Sequence, residues 1–414
     1  MNKQVAIILG GTFPHISLLE KLKERGYYTV LIDFFENPPA KLFADEHVMA
    51  STLDKDTVLE ISKQKKASLV ISAYIDQANV TACYVAEKLN LPHPYSYETA
   101  LNVTNKLLMK SLMLNNNIPT SKFVVITNID ECEGVDLSYP VIVKPTDSNS
   151  SKGVRKADSL EELKSFAEKA FEISRNKKVI IEEYIIGKEI GIDCYISNGK
   201  ATVLITKERR KIPAVMNQNE QIFGCIWPMT LSDSDFKPIE QIAERISMVF
   251  GLDNTPLMIQ AIVNQDGINV IEFGARFGGG ESFRIIKLAT GFDPTSAVID
   301  SYLGNEFALN HEIPEFYYAD NFIYAKQGNF NEILGFESFL DDNTIEYIDS
   351  YKTKGALIGN ELSSNNRVGV FTVKAKDKTS LMKKINSVLS NIDVIDLNGR
   401  SIMKRDIYLN TSSL

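Results

Sequence analysis

The sequence predicts a mixed α/β and α+β protein. Three observations carry that expectation. The first hundred residues alternate short apolar runs with helix-period segments, the βαβαβ order of a small parallel sheet covered by helices. The middle of the chain mixes strand-length runs with amphipathic helices and one long hairpin pattern. The tail past Asn310 holds one clear strand and one clear helix, a small α+β unit.

Taken in order, Val5–Leu9 is a continuous apolar run of strand length that meets Gly10-Gly11. Ile16, Leu18, Leu19 and Leu22 then recur at helical spacing up to Gly26. Thr29–Asp33 reads as a second strand, Asp54–Lys66 as a polar helix, Ser68–Ser72 as a third strand and Asn79–Leu89 as a helix stopping before Pro92. Asn90–Pro94, with two prolines, marks a boundary, so residues 1–94 form the first expected domain. Helical segments follow over Ser96–Asn117, then strands at Phe123–Ile126 and Val141–Val143. Ser159-x-x-Glu162 is a capping box, continued as a helix by Leu160, Leu163, Ala167, Ala170 and Phe171. Strands are expected at Val179–Tyr184, Ile190–Ser197 and Ala201–Thr206, a helix at Asp235–Phe250, a hairpin over Leu257–Phe273, and helices at Glu281–Ala289 and Pro294–Leu303. Residues 95–310 make the second expected domain. Residues 311–414 make the third, with Val368–Ala375 its strand and Lys378–Ile392 its helix.

Length and composition agree. A chain of 414 residues, at roughly 150 residues per domain, holds about three domains. With 44% hydrophobic and 24% charged residues it can bury large cores. Lys plus Arg number 45 against 53 Asp plus Glu, a formal charge of −8, so an overall basic footprint for nucleic acid is missing. No apolar run approaches the ~20 residues of a membrane span, and Val5–Leu9 is too short for a secretion-signal core. Cys83, Cys132, Cys194 and Cys225 form no CxxC pair and read as buried free thiols of a reducing cytoplasm. His15, His47, His93 and His311 show no zinc-ligand spacing.

Four constellations can carry chemistry. Lys144 ends the apolar run Val141-Ile-Val and is followed by Asp147-Ser-Asn-Ser150-Ser151-Lys152-Gly153, a small, polar loop. Such a loop can wrap phosphates with backbone N–H and hydroxyl donors if cations such as Lys144, Lys106 and Lys152 attend it. The plain alternative is an exposed lysine and a linker. In Glu182-Glu183-Tyr184-Ile185-Ile186-Gly187-Lys188-Glu189, carboxylates gather at a strand end, either as an acidic turn or as acceptors for the amine and ribose hydroxyls of an adenosine. In the hairpin, a three-residue loop Gln265-Asp266-Gly267 closing Asn264 on Ile268 sets Gln260 opposite Glu272. An acid so placed among Met258, Ile262 and Val270 needs a partner. That partner is either the glutamine itself or a hard cation shared by both oxygens and by phosphate. Arg276, in Gly274-Ala-Arg-Phe-Gly278-Gly279-Gly280, lies four residues past Glu272, suited to a transferring phosphoryl group or to a salt bridge with Glu272. Two weaker features remain. Gly10-Gly11-Thr12 with Asp33 lacks the GxGxxG of a dinucleotide site. Lys207–Lys211 is a basic run that reads as a solvated turn or as the lining of an anionic substrate pocket.

In this order, these residues resemble the ATP-grasp superfamily, nearest its branch of carbamoyl-phosphate-synthase-large-chain-like proteins and amino-acid ligases. The likeness covers about residues 1–310. It implies an ATP-grasp fold: a Rossmann-like pre-ATP-grasp domain over 1–94, two lobes gripping ATP over 95–310, and a small C-terminal α+β domain. It implies that Lys106 and Lys144 hold phosphates and that Ser150, Ser151 and Gly153 lie in a lid. Glu182, Glu183, Tyr184 and Ile185 would meet adenine, and Glu189 the ribose. Gln260 and Glu272 would hold Mg2+ or Mn2+, and Arg276 with Lys144 would act at the transferring phosphate. Arg210 and Arg284 are candidate contacts to the acyl substrate. The implied activity is ADP-forming ligation of a small carboxylate, such as an amino acid, to an amine through an acyl phosphate. The partners are then small molecules, and a homodimer follows by analogy. Two departures stand out: Gln260 replaces a carboxylate common in relatives, and Gly274 replaces a common Asn. They leave open a carbamate- or bicarbonate-activating enzyme and a non-catalytic ATP-binding regulator.

Overall fold

The computed structural model describes residues 3–147, 153–212, 221–231, 233–360 and 362–408. The chain divides into two units, each assembled from separate stretches. Unit 1 comprises Met1–Ser121, Ile186–Thr206 and Thr230–Ile313; unit 2 comprises Lys122–Ile185, Lys207–Met229 and Pro314–Leu414.

Unit 1 begins with a parallel sheet in the order Glu46–Met49, Tyr28–Asp33, Val5–Leu9, Ala67–Ile71. The inner strands are apolar along their length because helices cover both faces, and Ile7, Ile8, Val30 and Leu31 are fully buried. The helix His15–Glu24 buries Leu18, Leu19 and Leu22. The edge strand Glu46–Met49 was not anticipated. It buries no residue completely, so it lacks the apolar run by which a strand is recognised. The helical stretch after Ser96 is two helices, Tyr97–Thr104 and Lys106–Asn115, broken at Asn105. Asn105 ends the first and caps the second, its side chain accepting from the Leu108 amide at 3.1 Å, which puts Lys106 at the first helical position.

The remainder of unit 1 is built on the strand order Gly267–Gly274, Thr255–Asn264, Lys188–Ser197 and residues 200–206, with helices Asp233–Phe250, Ser282–Thr290 and Pro294–Leu303. The hairpin corrects one expectation. Its turn is shorter, with Asn264 paired to Gly267, Val263 to Ile268 and Ala261 to Val270. A shift between Gln260 and Ala261 then leaves Ile271 unpaired, and Gln260 faces Glu272 after all. Thr120 pins the outer edge beside this shift: Thr120 Oγ1 donates to the Val270 carbonyl at 2.6 Å, and the Val270 amide donates to the Pro119 carbonyl at 2.8 Å.

Unit 2 holds an antiparallel sheet in the order Phe123–Ile126, Val179–Glu183, Val141–Pro145, Arg155–Ala157. The helix Leu160–Ile173 seals it with Leu163, Ala167 and Ala170. Ser159 caps that helix by accepting from the Glu162 amide at 3.2 Å, and Glu162 reaches back to the Asp158 amide at 2.8 Å. Further on, residues 208–212 of the strand Lys200–Ile212 pair with Gln221–Trp227, which pairs with Tyr317–Tyr324, then Arg367–Ala375, then Tyr347–Ser350. The helix Lys378–Asn391 lays Leu381, Ile385 and Val388 into this unit's core with Phe371 and Ile333. The run Lys207–Lys211 is therefore strand, not a solvated turn, and Lys207 and Arg210 are buried. Charge masked a strand in which two residues of the run, three positions apart, are buried.

Because one hydroxyl holds the start of the Leu160–Ile173 helix, Ser159→Ala is expected to lower stability by about 1 kcal/mol. A reduced urea midpoint in equilibrium unfolding of the full chain, with the slope unchanged, checks this.

Candidate active site

The residues singled out by sequence fall into two sets, one in each unit. In unit 1, pairing places Gln260 across from Glu272 on one side and from Gly191 on the other, with Glu189 two residues along the same neighbouring strand. Gln260 Nε2 donates to Glu189 Oε1 at 2.6 Å. This orients the amide, so its carbonyl oxygen is the atom left to act as an acceptor. A carboxylate at position 260 would instead meet Glu189 as a like charge. Lys106, at its helix start, brings Nζ to 3.6 Å from Glu272 Oε2.

Gln260 Oε1 and Glu272 thus offer two hard oxygen donors on facing strands. They fit Mg2+ or Mn2+, cations that draw their remaining ligands from phosphate and water. Among the described residues no group of three His, Cys, Asp or Glu could hold a metal alone.

Arg276 does not make the bridge to Glu272 that was the plain alternative for it. Its partner is Asp76, at the start of the helix Asp76–Leu89, with Nε to Oδ1 at 2.6 Å and Nη2 to Oδ2 at 2.7 Å. Nη1 donates to the Phe277 carbonyl at 2.8 Å. Burial alone would depress the guanidinium pKa. The Asp76 charge and hydrogen bonds outweigh it, helped by Glu272 and Asp193, and raise it above its ordinary value. Asp193, fully buried, accepts from the Gly278 amide at 2.5 Å and ties down the glycine turn after Arg276. Sequence reasoning missed both Asp76 and Asp193. Each is a lone acid whose partner lies 200 or 85 positions away, and no local pattern marks it.

Arg284 borders a cavity of about 260 Å³ with Phe13, Ser17, Phe283, Lys287 and Thr295. Its guanidinium lies over the Phe13 ring at 5.2 Å and 3.7 Å from Glu281. Asp33 ties the glycine loop. Its Oδ2 accepts from the Gly11 amide at 2.7 Å and its Oδ1 from the Phe35 amide at 2.9 Å, so both oxygens serve the backbone.

In unit 2, Lys144 pairs with Ile180 and Ile142 with Glu182, which sets Lys144 and Glu182 diagonally on one face. Lys144 Nζ meets Glu182 Oε1 at 2.7 Å, with side chains only 9% and 6% exposed. Glu182 is thereby committed to a lysine. The Glu183 amide donates to the Lys122 carbonyl and the Tyr184 amide to the Pro140 carbonyl, and the Tyr184 ring is exposed, with Lys156 5.2 Å from its centre. Ile185 follows at the end of this segment, immediately before the chain re-enters unit 1. Gly153 has a positive φ of 78°, and a Cβ there would meet Ile173 at 2.8 Å. Ser150, Ser151 and Lys152 lie outside the described residues. Arg210 is buried in the sheet, with Nη2 donating to the Asp320 carbonyl at 2.8 Å and to Asn321 Oδ1 at 2.5 Å. Burial brings its pKa down to about 10. All four cysteines are buried free thiols. No helix among the described residues is long and apolar enough to cross a membrane.

Residues 137–283 match the ATP-grasp domain. The chain is similar to the L-arginine-specific L-amino acid ligase of Bacillus subtilis, 24% identical over 57% of this chain and 58% of that protein. It is also similar to the carbamoyl phosphate synthase large chain of Thermoanaerobacter sp., 26% identical over 47% of this chain and 18% of that one. The chain thus spans less than two thirds of the length of these relatives. Among solved structures, the L-amino acid ligase of Bacillus licheniformis superposes with a TM-score of 0.78 at 21% identity, over 96% of this chain and 99% of that one. The domain match over residues 137–283 and this superposition agree on an ATP-grasp fold.

The buried Lys144–Glu182 pair yields a stability test. Glu182→Ala strands a buried ammonium and is expected to cost about 3–5 kcal/mol. The double change Lys144→Met/Glu182→Leu is expected to recover most of that loss, read as unfolding midpoints of the three proteins.

Proposed function

We propose that this chain is an ATP-dependent, ADP-forming carboxylate–amine ligase acting on an amino acid or a similar small carboxylate. The observation that carries the reading is the unit 1 set. Two facing oxygens at Gln260 and Glu272, Lys106 at 3.6 Å from Glu272, and Arg276 four residues beyond suit a polyphosphate undergoing transfer.

The chemistry follows from the weakness of a carboxylate as an electrophile. A carboxylate oxygen attacks the γ-phosphorus of ATP, the bond to the β-phosphate oxygen breaks, and ADP leaves. The amine nitrogen then attacks the acyl carbon, the bond to phosphate breaks, inorganic phosphate leaves and the amine loses its proton. Bound magnesium supplies neutralisation of the phosphate oxygens. Lys106 and Arg276 lower the barrier by holding charge on the transferring group. Gln260 and Glu272 orient the metal, and Glu189 keeps the Gln260 amide turned. By the ATP-grasp likeness, Lys144, Gly153, Glu182, Glu183, Tyr184 and Ile185 in unit 2 and Glu189 in unit 1 are the nucleotide-binding candidates. Arg284, beside its cavity, contacts the acyl substrate, and Arg210 remains the second candidate. The buried thiols support a cytoplasmic location. A bicarbonate-activating reading draws support from the similarity to a carbamoyl phosphate synthase large chain.

The test incubates the protein with ATP, magnesium and pools of carboxylates, bicarbonate and amines, and follows ADP and phosphate, with hydroxylamine to trap acyl phosphate. Hydroxamate formation that depends on one carboxylate is expected. Phosphate release with bicarbonate alone would support the second reading, and tight ATP binding without turnover in any pool would overturn both. Glu272→Ala is expected to abolish turnover while leaving the unfolding midpoint within experimental error. Undiminished turnover in that variant removes the metal assignment.

A further inference from the structure

Arg276 has five N–H groups, and three are already used: two on Asp76 and one on the Phe277 carbonyl. Asp76 takes the side fork made by Nε and Nη2. One N–H on each terminal nitrogen is left, and with the Phe277 carbonyl on the outer N–H of Nη1 these two would form the end fork that matches two oxygens of a phosphate. The carboxylate therefore fixes the plane and rotation of the guanidinium without consuming the pair of donors that phosphate needs. A charge-neutral hydrogen-bonding partner would fix the plane less firmly and would not hold the buried cation.

Space for this arrangement depends on Gly274. A Cβ built on Gly274 would lie 3.1 Å from Asp76 Oδ1 and 3.6 Å from Arg276 Cγ. Any longer side chain there would enter the space that the Asp76 carboxylate occupies. A second tie acts on the same segment: the Tyr95 hydroxyl donates to the carbonyl of Ala275 at 3.4 Å. Tyr95 is itself bonded by Asn79, on the helix that Asp76 begins, and Asn79 is bonded by Tyr302. The backbone just before Arg276 and its side chain are thus both held by elements that follow the N-terminal parallel sheet.

We propose that Asp76 is a positioning residue for phosphoryl transfer, holding Arg276 so that its end fork meets the transferring phosphate, and that Gly274 is glycine to admit it. This rests on the ligase reading for its kinetics but not for its geometry. Asp76→Asn is expected to lower kcat about 100-fold, the scale of a misplaced catalytic group. The KM for ATP should stay within about twofold, because the remaining phosphate contacts are intact. Gly274→Asn, which crowds the carboxylate without removing it, is expected to show the same split, and Asp76→Glu to recover part of the rate.

A second measurement stands apart from turnover. Arginine modification by phenylglyoxal, mapped on peptides by mass spectrometry, is compared with and without magnesium and a non-hydrolysable ATP analogue. In the unsubstituted protein the analogue is expected to protect Arg276, and in Asp76→Asn that protection is expected to fall at least severalfold. If no substrate pool gives turnover, the ligase reading fails, and the protection experiment still decides the positioning role. Unchanged kcat in Asp76→Asn, or equal protection of Arg276 in both proteins, overturns the proposal.

Discussion

A single unpaired residue, Ile271, sets the register on which the unit 1 site depends. The hairpin turn alone would carry the pairing of Ala261 with Val270 onward, so that Gln260 met Ile271 and Glu272 fell opposite Ile259. A strand has a period of two, so this one-residue difference would turn Glu272 to the other face. The bulge removes the offset and brings Glu272 onto the face of Gln260. Burial along the strand records the same break: Ile268, Val270 and Phe273 are buried, whereas Ile271 and Glu272 are both half-exposed. Thr120 and Pro119 grip Val270 immediately before the break, so the irregularity is held in place.

Three cations of the two sets are each matched to a carboxylate: Lys106 to Glu272, Arg276 to Asp76, and Lys144 to Glu182. The pairs differ in what they permit. Lys144 and Glu182 are nearly inaccessible, and separating them would leave a buried charge, so they move as one unit. Lys106 and Glu272 are partly exposed and 3.6 Å apart, a loose pair in a well-solvated setting that costs little to break. In the proposed reaction Lys106 would be the cation able to follow a phosphate, while Arg276 is held by Asp76 beforehand.

The sequence was most legible where one local rule acts alone. The apolar inner strands of the parallel sheet, the Leu18/Leu19/Leu22 stripe and the Ser159 cap each follow from neighbours within a turn or a pleat. Legibility failed where tertiary context overrode the local pattern. Glu46–Met49 pairs only at the sheet edge, so it needs no apolar face. Lys207–Lys211 is strand with Lys207 and Arg210 buried, and Arg210 bonds to the Asp320 carbonyl and Asn321 inside the sheet. The hairpin shows both sides. Its Gln260–Glu272 pairing was foreseen through a longer turn than the one present, and the bulge supplied the missing residue. Arg276 was singled out from its spacing to Glu272, with a bridge to Glu272 as the plain alternative; its partner is Asp76, remote in sequence.

The two departures from the ATP-grasp pattern look like losses when read singly, and their surroundings argue otherwise. With Glu189 at 2.6 Å from the Gln260 amide, a second carboxylate at position 260 would set two like charges side by side, which disfavours ionisation of both. A glutamine supplies the same oxygen without that conflict and lends its N–H to Glu189. At position 274, the absent side chain is replaced by the carboxylate of Asp76 reaching in from elsewhere in unit 1. Each substitution therefore has a partner already in contact with it. Neither position leaves an orphaned acid or an unfilled gap: Glu189 orients the Gln260 amide, and Asp76, beside Gly274, orients Arg276.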